Sequence, residues 1–338
     1  MKIGRQFAVG ILLVLGTGLF GIRVEADSRS NGTAERVFEI KNPAENEKAP
    51  VISAVTLDPQ GMVLASVGDD HQVRIWSLES GTVLNRLEAH TDWVRAAAFR
   101  PDGKVLATAG DDHVIRLWDL SSRASPQALP ELPHVIRALA YSPHGKKLAA
   151  AGFGPKVYLY DGISGSLLQE LHAPDADIRA VRFSPEGTQL AAGGRSGVLR
   201  VWNMDGSLRF DVQVSSRCLW AVAYSPDGKQ IAVAGEERVP RIYDAATGKP
   251  LAALPEQPAE VRALCYCTPD VLAAGGTDNR IRLWSVSTGR MQRQLEGHTG
   301  TVNTLTYDAP RGELISAGFD TTIRTWRIVP TEEKVSRR

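Results

Sequence analysis

Short apolar runs recur along this chain at a nearly fixed period. Each ends in an aromatic residue: Trp76, Trp118, Tyr160, Trp202, Tyr243, Trp284 and Trp326 close runs such as VRIW, IRLW and VYLY, at spacings of 42, 42, 42, 41, 41 and 42 residues. A turn series precedes them: DPQG at Asp58, RPDG at Arg100, SPHG at Ser142, SPEG at Ser184, SPDG at Ser225 and APRG at Ala309, with TPD at Thr268 lacking its glycine. A second series follows the aromatics: ESG, ISGS, MDGS, ATGK and STGR. Proline followed by a polar residue and glycine is turn chemistry. Two turns and several short apolar runs per period predict about four short strands each.

A four-stranded period of ~40–45 residues is a propeller blade. One blade cannot bury both its faces, whereas seven packed radially can. Within the period, GDDHQVRIW (residues 68–76) and GDDHVIRLW (residues 110–118) repeat two acids, a histidine and a tryptophan 42 residues apart. Such a pair is either a duplicated metal or catalytic site or the imprint of a repeated fold unit.

The repeats over residues 35–329 resemble the WD40 family, although the name-giving Trp-Asp pair stands only at Trp118–Asp119. The resemblance implies an all-β, seven-bladed WD40 β-propeller. ERVFEI (residues 35–40) is strand-like and precedes the first turn, while the last blade stops after TIRTWRIV (residues 322–329) and lacks a fourth strand. The resemblance implies that the N-terminal strand completes the last blade, hiding edges that would otherwise invite aggregation.

The same resemblance decides between the two readings of GDDH. His90, Thr108, Asp112 and Trp118 have the same offsets as His298, Ser316, Asp320 and Trp326. They match the WD40 structural tetrad, a hydrogen-bond chain within one blade. Asp70, Asp278 and Glu237 match the tetrad acid elsewhere, and blades three and four depart with Gly154 and Ser196. His71 and His113 are then exposed turn residues, since no later blade repeats them. Arg74, Arg116, Arg200, Arg241, Arg282 and Arg324 each stand two residues before the third-strand aromatic, a regularity that fits scaffold ion pairs.

Composition narrows the class. The chain has 338 residues, 43% apolar and 23% charged, with 31 glycines and 19 prolines, as expected of a foldable chain with many turns. A net charge of +1 argues against a nucleic-acid partner bound by bulk charge. Residues 1–26 read as a cleaved signal peptide: Lys2 and Arg5, then the apolar FAVGILLVLGTGLF, then VEA before Asp27. The alternative is an uncleaved anchor, the one route to a membrane. Export to a periplasmic or extracellular space is the expectation, with residues 27–34 a flexible lead-in carrying an Asn-Gly-Thr sequon and residues 330–338 a charged tail. Cys218, Cys265 and Cys267 are odd in number and poorly spaced for a disulfide framework; they read as small buried fillers.

By resemblance, the first strand of each blade lines the central channel and begins at the top face, where partners most often dock. The second residues of these strands are Ser53, Arg95, Arg137, Arg179, Trp220, Arg262 and Asn303. Four arginines at one mouth repel one another unless offset. Asp69, Asp111, Asp177, Glu236 and Glu260 are candidates for an internal Arg–carboxylate belt. The competing reading is a partner site for an acidic peptide or protein, with Trp93, Trp220, Phe153 and Phe319 as apolar anchors. No G-x-S-x-G, H-E-x-x-H or Walker pattern occurs. The expectation is a monomeric, non-catalytic interaction scaffold needing no cofactor or metal. The alternative is a propeller that binds or hydrolyses a small anion with its mouth arginines.

Overall fold

The computed structural model describes residues 36–39, 49–122, 124–173 and 176–328. The signal-peptide segment, the lead-in with its sequon, and the charged tail lie outside the described residues.

Seven four-stranded antiparallel sheets follow one another along the chain. Their first strands are Ile52–Leu57, Val94–Phe99, Ile136–Tyr141, Ile178–Phe183, Leu219–Tyr224, Val261–Tyr266 and Val302–Asp308. These strands pack side by side around an axis, and the first strand of blade one also meets that of blade seven. The Pro-x-Gly turns join first to second strands. In blade two, Gly103 donates to the Arg100 carbonyl at 2.8 Å with φ of 71°, a backbone setting that glycine reaches without a Cβ penalty.

Closure follows the expected route. The strand Arg36–Glu39 pairs antiparallel with Thr322–Arg327, Arg36 opposite Thr325 and Glu39 opposite Thr322. It becomes the fourth strand of blade seven. Arg36 fastens it further, donating to Glu313 at 2.7 Å and to the Leu78 carbonyl of blade one at 2.5 Å. Phe38 is buried in a cluster with Ile52 and Trp76 of blade one and Ile315 and Ile323 of blade seven.

The core is not central but lies between blades. Each of seven apolar clusters joins one blade to the next, the seventh joining blade seven to blade one. Second strands such as Val105–Gly110 and Lys147–Gly152 are buried along nearly their whole length and rich in alanine. The third-strand aromatics pack on the preceding blade, as Trp202 does against Leu159 and Leu171. Small residues near the axis and large ones farther out fit the taper of a wedge. Among the described residues, no helix is long and apolar enough to cross a membrane.

Candidate interaction site at the channel mouth

Each first strand carries an irregularity at its start. The register with the second strand shifts between the first and third residues in all seven blades, for example between Val94 and Ala96. The second residue is thereby left out of the ladder, and a bulge of this kind re-aims a side chain. The glycine closing each second strand makes the arrangement possible. At Gly110 a Cβ would stand 2.0 Å from the Trp93 carbonyl oxygen, and at Gly152 1.9 Å from that of Val135. Only a residue without a Cβ lets these backbones meet.

All seven second residues line one cavity of about 300 Å³ on the axis, and Trp93 and Phe319 join them. Phe153 stands just behind. The ring is ordered into pairs. Arg95 donates to Asp111 through Nε at 2.8 Å and Nη2 at 2.5 Å, and its guanidinium lies 3.3 Å from the centre of the Trp93 ring. Arg179 pairs with Asp177 at 2.7 Å and Arg262 with Glu260 at 2.8 Å. Of the other belt acids, Asp69 accepts from the backbone of Val51 at 2.8 Å; its own blade offers Ser53 rather than an arginine at the mouth. Glu236 shows no ion pair among the described residues.

From blade three to blade six, cations and rings alternate. Arg137 stacks on Phe153 at 4.6 Å, Arg179 lies between Phe153 at 5.0 Å and Trp220 at 4.7 Å, and Arg262 covers Trp220 at 3.9 Å. Arg137 differs from its neighbours. No carboxylate among the described residues forms an ion pair with it, because Phe153 and Val135 occupy the positions that hold Asp111 in blade two and Asp177 in blade four. Burial and the charges of Arg95 and Arg179 outweigh the carboxylates of Asp111 and Asp177 and pull its pKa down to about 10. Its Nε and the indole N–H of Trp220 are buried without an acceptor. On the opposite side the donors are satisfied: Trp93 donates to Ser53 at 2.6 Å, and Asn303 to the Ser53 carbonyl at 2.5 Å. The mouth therefore alternates: arginines paired with acids in blades two, four and six, and unmatched donors at Arg137 in blade three and Trp220 in blade five.

The GDDH residues lie elsewhere in the blades. His90 Nδ1 is 2.8 Å from Asp112 Oδ2, His90 Nε2 is 2.7 Å from Thr108 Oγ1, and Trp118 Nε1 donates to Thr108 at 2.8 Å. Blade seven repeats the chain through His298, Asp320, Ser316 and Trp326 at 2.8, 2.7 and 2.8 Å. The chain runs consistently if the histidine carries its proton on Nδ1, facing the carboxylate. Burial would raise the Asp112 pKa, but the hydrogen bond and charge of His90 and the charge of Arg116 outweigh it and hold the carboxyl at about 2. His71 and His113 occupy left-handed turn positions, with φ of 65° and 62°, matched by Arg238, Asn279 and Thr321 in later blades. The arginine series meets the turn acids: Arg116 reaches Asp112 at 2.5 Å, Arg241 reaches Glu237 at 2.5 Å and Arg282 reaches Asp278 at 2.6 Å. Among the described residues no three His, Cys, Asp or Glu gather as a metal site requires.

Two features depart from the sequence reading. Cys218 and Cys267 are buried, but Cys265 is only partly so. Arg182, the fifth residue of its strand, also lines the channel cavity, which an inspection of second positions alone overlooks. The signal for it is plain: the other first strands hold Thr56, Ala98, Ala140, Ala223, Cys265 and Thr306 at that position.

Comparison with known proteins agrees with this architecture. The WD domain, G-beta repeat family matches residues 41–77, 81–119, 165–203, 248–285 and 289–327. The stretches left unmatched hold blades three and five, whose third strands end in Tyr160 and Tyr243 instead of tryptophan. Periodic tryptophan protein 2 of Saccharomyces cerevisiae is 40% identical over 67 residues, covering 20% of this chain and 7% of that protein. Ribosome biogenesis protein ytm1 of Neosartorya fischeri is 33% identical over 85 residues, covering 23% and 17%. The chain thus spans less than a fifth of the length of these relatives, and their names speak for them alone. With more than half its residues matched by the family and seven blades closed into a ring, the chain belongs to the WD40 repeat family.

Proposed function

We propose that this protein is a non-catalytic scaffold whose channel mouth docks an acidic segment of a partner protein. WD40 propellers typically serve as protein-interaction scaffolds and are usually non-catalytic. The observation that carries the reading is Arg137: a half-buried guanidinium at the mouth, stacked on Phe153 and without a carboxylate. A partner's Asp or Glu would supply the missing acceptor, and a planar guanidinium takes a carboxylate in bidentate fashion. Trp220 and the half-exposed Phe319 (50% exposed) offer apolar contact elsewhere around the same mouth. Trp and Arg are the residue types that carry most binding energy at interfaces.

The test compares the parent with Arg137→Glu, matched for melting temperature, as baits in an extract of the native source. Captured proteins are then purified and retested for direct binding. A partner bound by the parent and lost from the variant supports the mouth; identical partners for both place binding on another surface. Export belongs to the same proposal and rests on the basic start and apolar run of residues 1–26. The intact mass of protein from the native source tests it: a chain beginning at Asp27 is expected, and a retained N-terminus contradicts it.

A further inference from the structure

Below the mouth, the third position of every first strand is small. Ala54, Ala96, Ala138, Ala180, Ala221 and Ala263 occupy the third positions of six first strands, with Thr304 in the seventh, and all line the cavity. Two positions further along, six blades carry alanine, threonine or cysteine and the seventh carries Arg182. Its side chain is exposed to the channel, yet protein encloses it closely enough that burial lowers its pKa. These facts describe one geometry, a guanidinium standing in a narrow bore. It donates to the neighbouring Val181 carbonyl at 2.9 Å. Among the described residues no carboxylate pairs with it, and the ionisable group that senses it is the Cys265 thiol, two blades away around the ring. The mouth arginines surround Arg137, but Arg182 is not among the charges acting on it.

Apart from the Val181 carbonyl, Arg182 has no acceptor among the described residues, so its guanidinium faces the channel with its charge unpaired. We propose that the channel is a binding site for a small monocarboxylate, held by Arg182 beneath the mouth. The class follows from the charge count and the space. Below the second positions of the first strands Arg182 is the one unpaired guanidinium among the described residues lining the cavity, so one negative charge balances it, and its fork matches the two oxygens of a carboxylate. A phosphate dianion would keep an unbalanced charge among alanines. This site is independent of partner docking at Arg137, and either holds if the other fails.

The experiment is ¹⁹F NMR of trifluoroacetate with the full-length protein at constant ionic strength. The parent should broaden the resonance saturably, acetate should reverse the broadening, and phosphate at equal ionic strength should not. On an Arg137→Met background, which removes the open guanidinium of the mouth, saturable broadening should persist, and adding Arg182→Met should return the line to its protein-free width. If Arg182→Met does not fold, Arg182→Lys keeps the charge without the fork and should weaken binding at least tenfold. Equal broadening on that background with and without the Arg182 substitution overturns the proposal. So does loss in the Arg137 variant, which would move the ion to the mouth, or equal displacement by phosphate. An absence of broadening by the parent at high millimolar probe also overturns it.

Discussion

Arg137 lies 4.6 Å from the centre of the Phe153 ring, and Phe153 stands where the preceding blade places Asp111, the carboxylate that neutralises Arg95. One exchange of acid for ring leaves one cation of the mouth open. Phe153→Asp should restore the pattern of blade two and occupy Arg137 internally. The expected outcome is loss of partner capture with little change in melting temperature, read by circular dichroism and by binding to the purified partner. Undiminished capture would separate Arg137 from docking.

The tetrad makes a prediction at a residue far from any partner. Thr108→Val keeps the shape but strips both His90 and Trp118 of their shared hydroxyl. Each orphaned buried group costs about 1–3 kcal/mol, so the urea midpoint should fall markedly with the mouth unaltered. A midpoint within experimental error of the parent would mean that the hydrogen-bond chain contributes no stability.

Blade six offers the converse. Trp284 Nε1 is buried without a partner, and Ala274 holds the register position of Thr108, opposite the arginine two residues before the tryptophan. Ala274→Ser supplies the missing acceptor and should stabilise the protein by about 1 kcal/mol. A destabilised variant would show that packing there has no room for the oxygen.

Acid should loosen the ring through Asp112 and Asp320, each held at about 2 in the folded chain against an ordinary 3.8. In both, burial acts to raise the pKa and the histidine, as hydrogen-bond partner and charge, lowers it more. A depressed carboxyl stabilises the fold above its unfolded pKa and loses that contribution as pH falls through the folded one. Each is worth about 2 kcal/mol at neutral pH, lost between about pH 4 and pH 2. Urea midpoints measured over that window should drop steeply for the parent and more shallowly for Asp112→Asn/Asp320→Asn.

Closure rests on four residues far away in sequence. Phe38→Ala empties a buried site between blades one and seven, at a cost of about 3–5 kcal/mol. Deleting residues 35–40 should cost more, since it also exposes the edge of Thr322–Arg327. An unchanged melting temperature in the deletion would refute closure by this strand.

The fold was legible in the sequence because seven repeats state the same strand and turn pattern, and because Arg36–Glu39 is a strand with no blade of its own. The mouth was legible in position through the family resemblance, which puts the second residue of each first strand there, and the bulge is what aims it. Its pairing was not. Five acids stand near four arginines in the sequence, and only geometry separates Asp111, Asp177 and Glu260, which meet guanidiniums, from Asp69, which caps a backbone amide. Arg182 escaped because inspection of second positions passes over the fifth, where one large cation breaks a row of small residues.

The docking claim is tested most directly by the affinity of the identified partner for the parent and for Arg137→Met, measured by calorimetry at two salt concentrations. Losing one side of a buried carboxylate–guanidinium pair costs about 2–5 kcal/mol, so binding should weaken at least tenfold and lose part of its salt dependence. Equal affinities with equal salt dependence would contradict the account and leave the mouth as a structural belt.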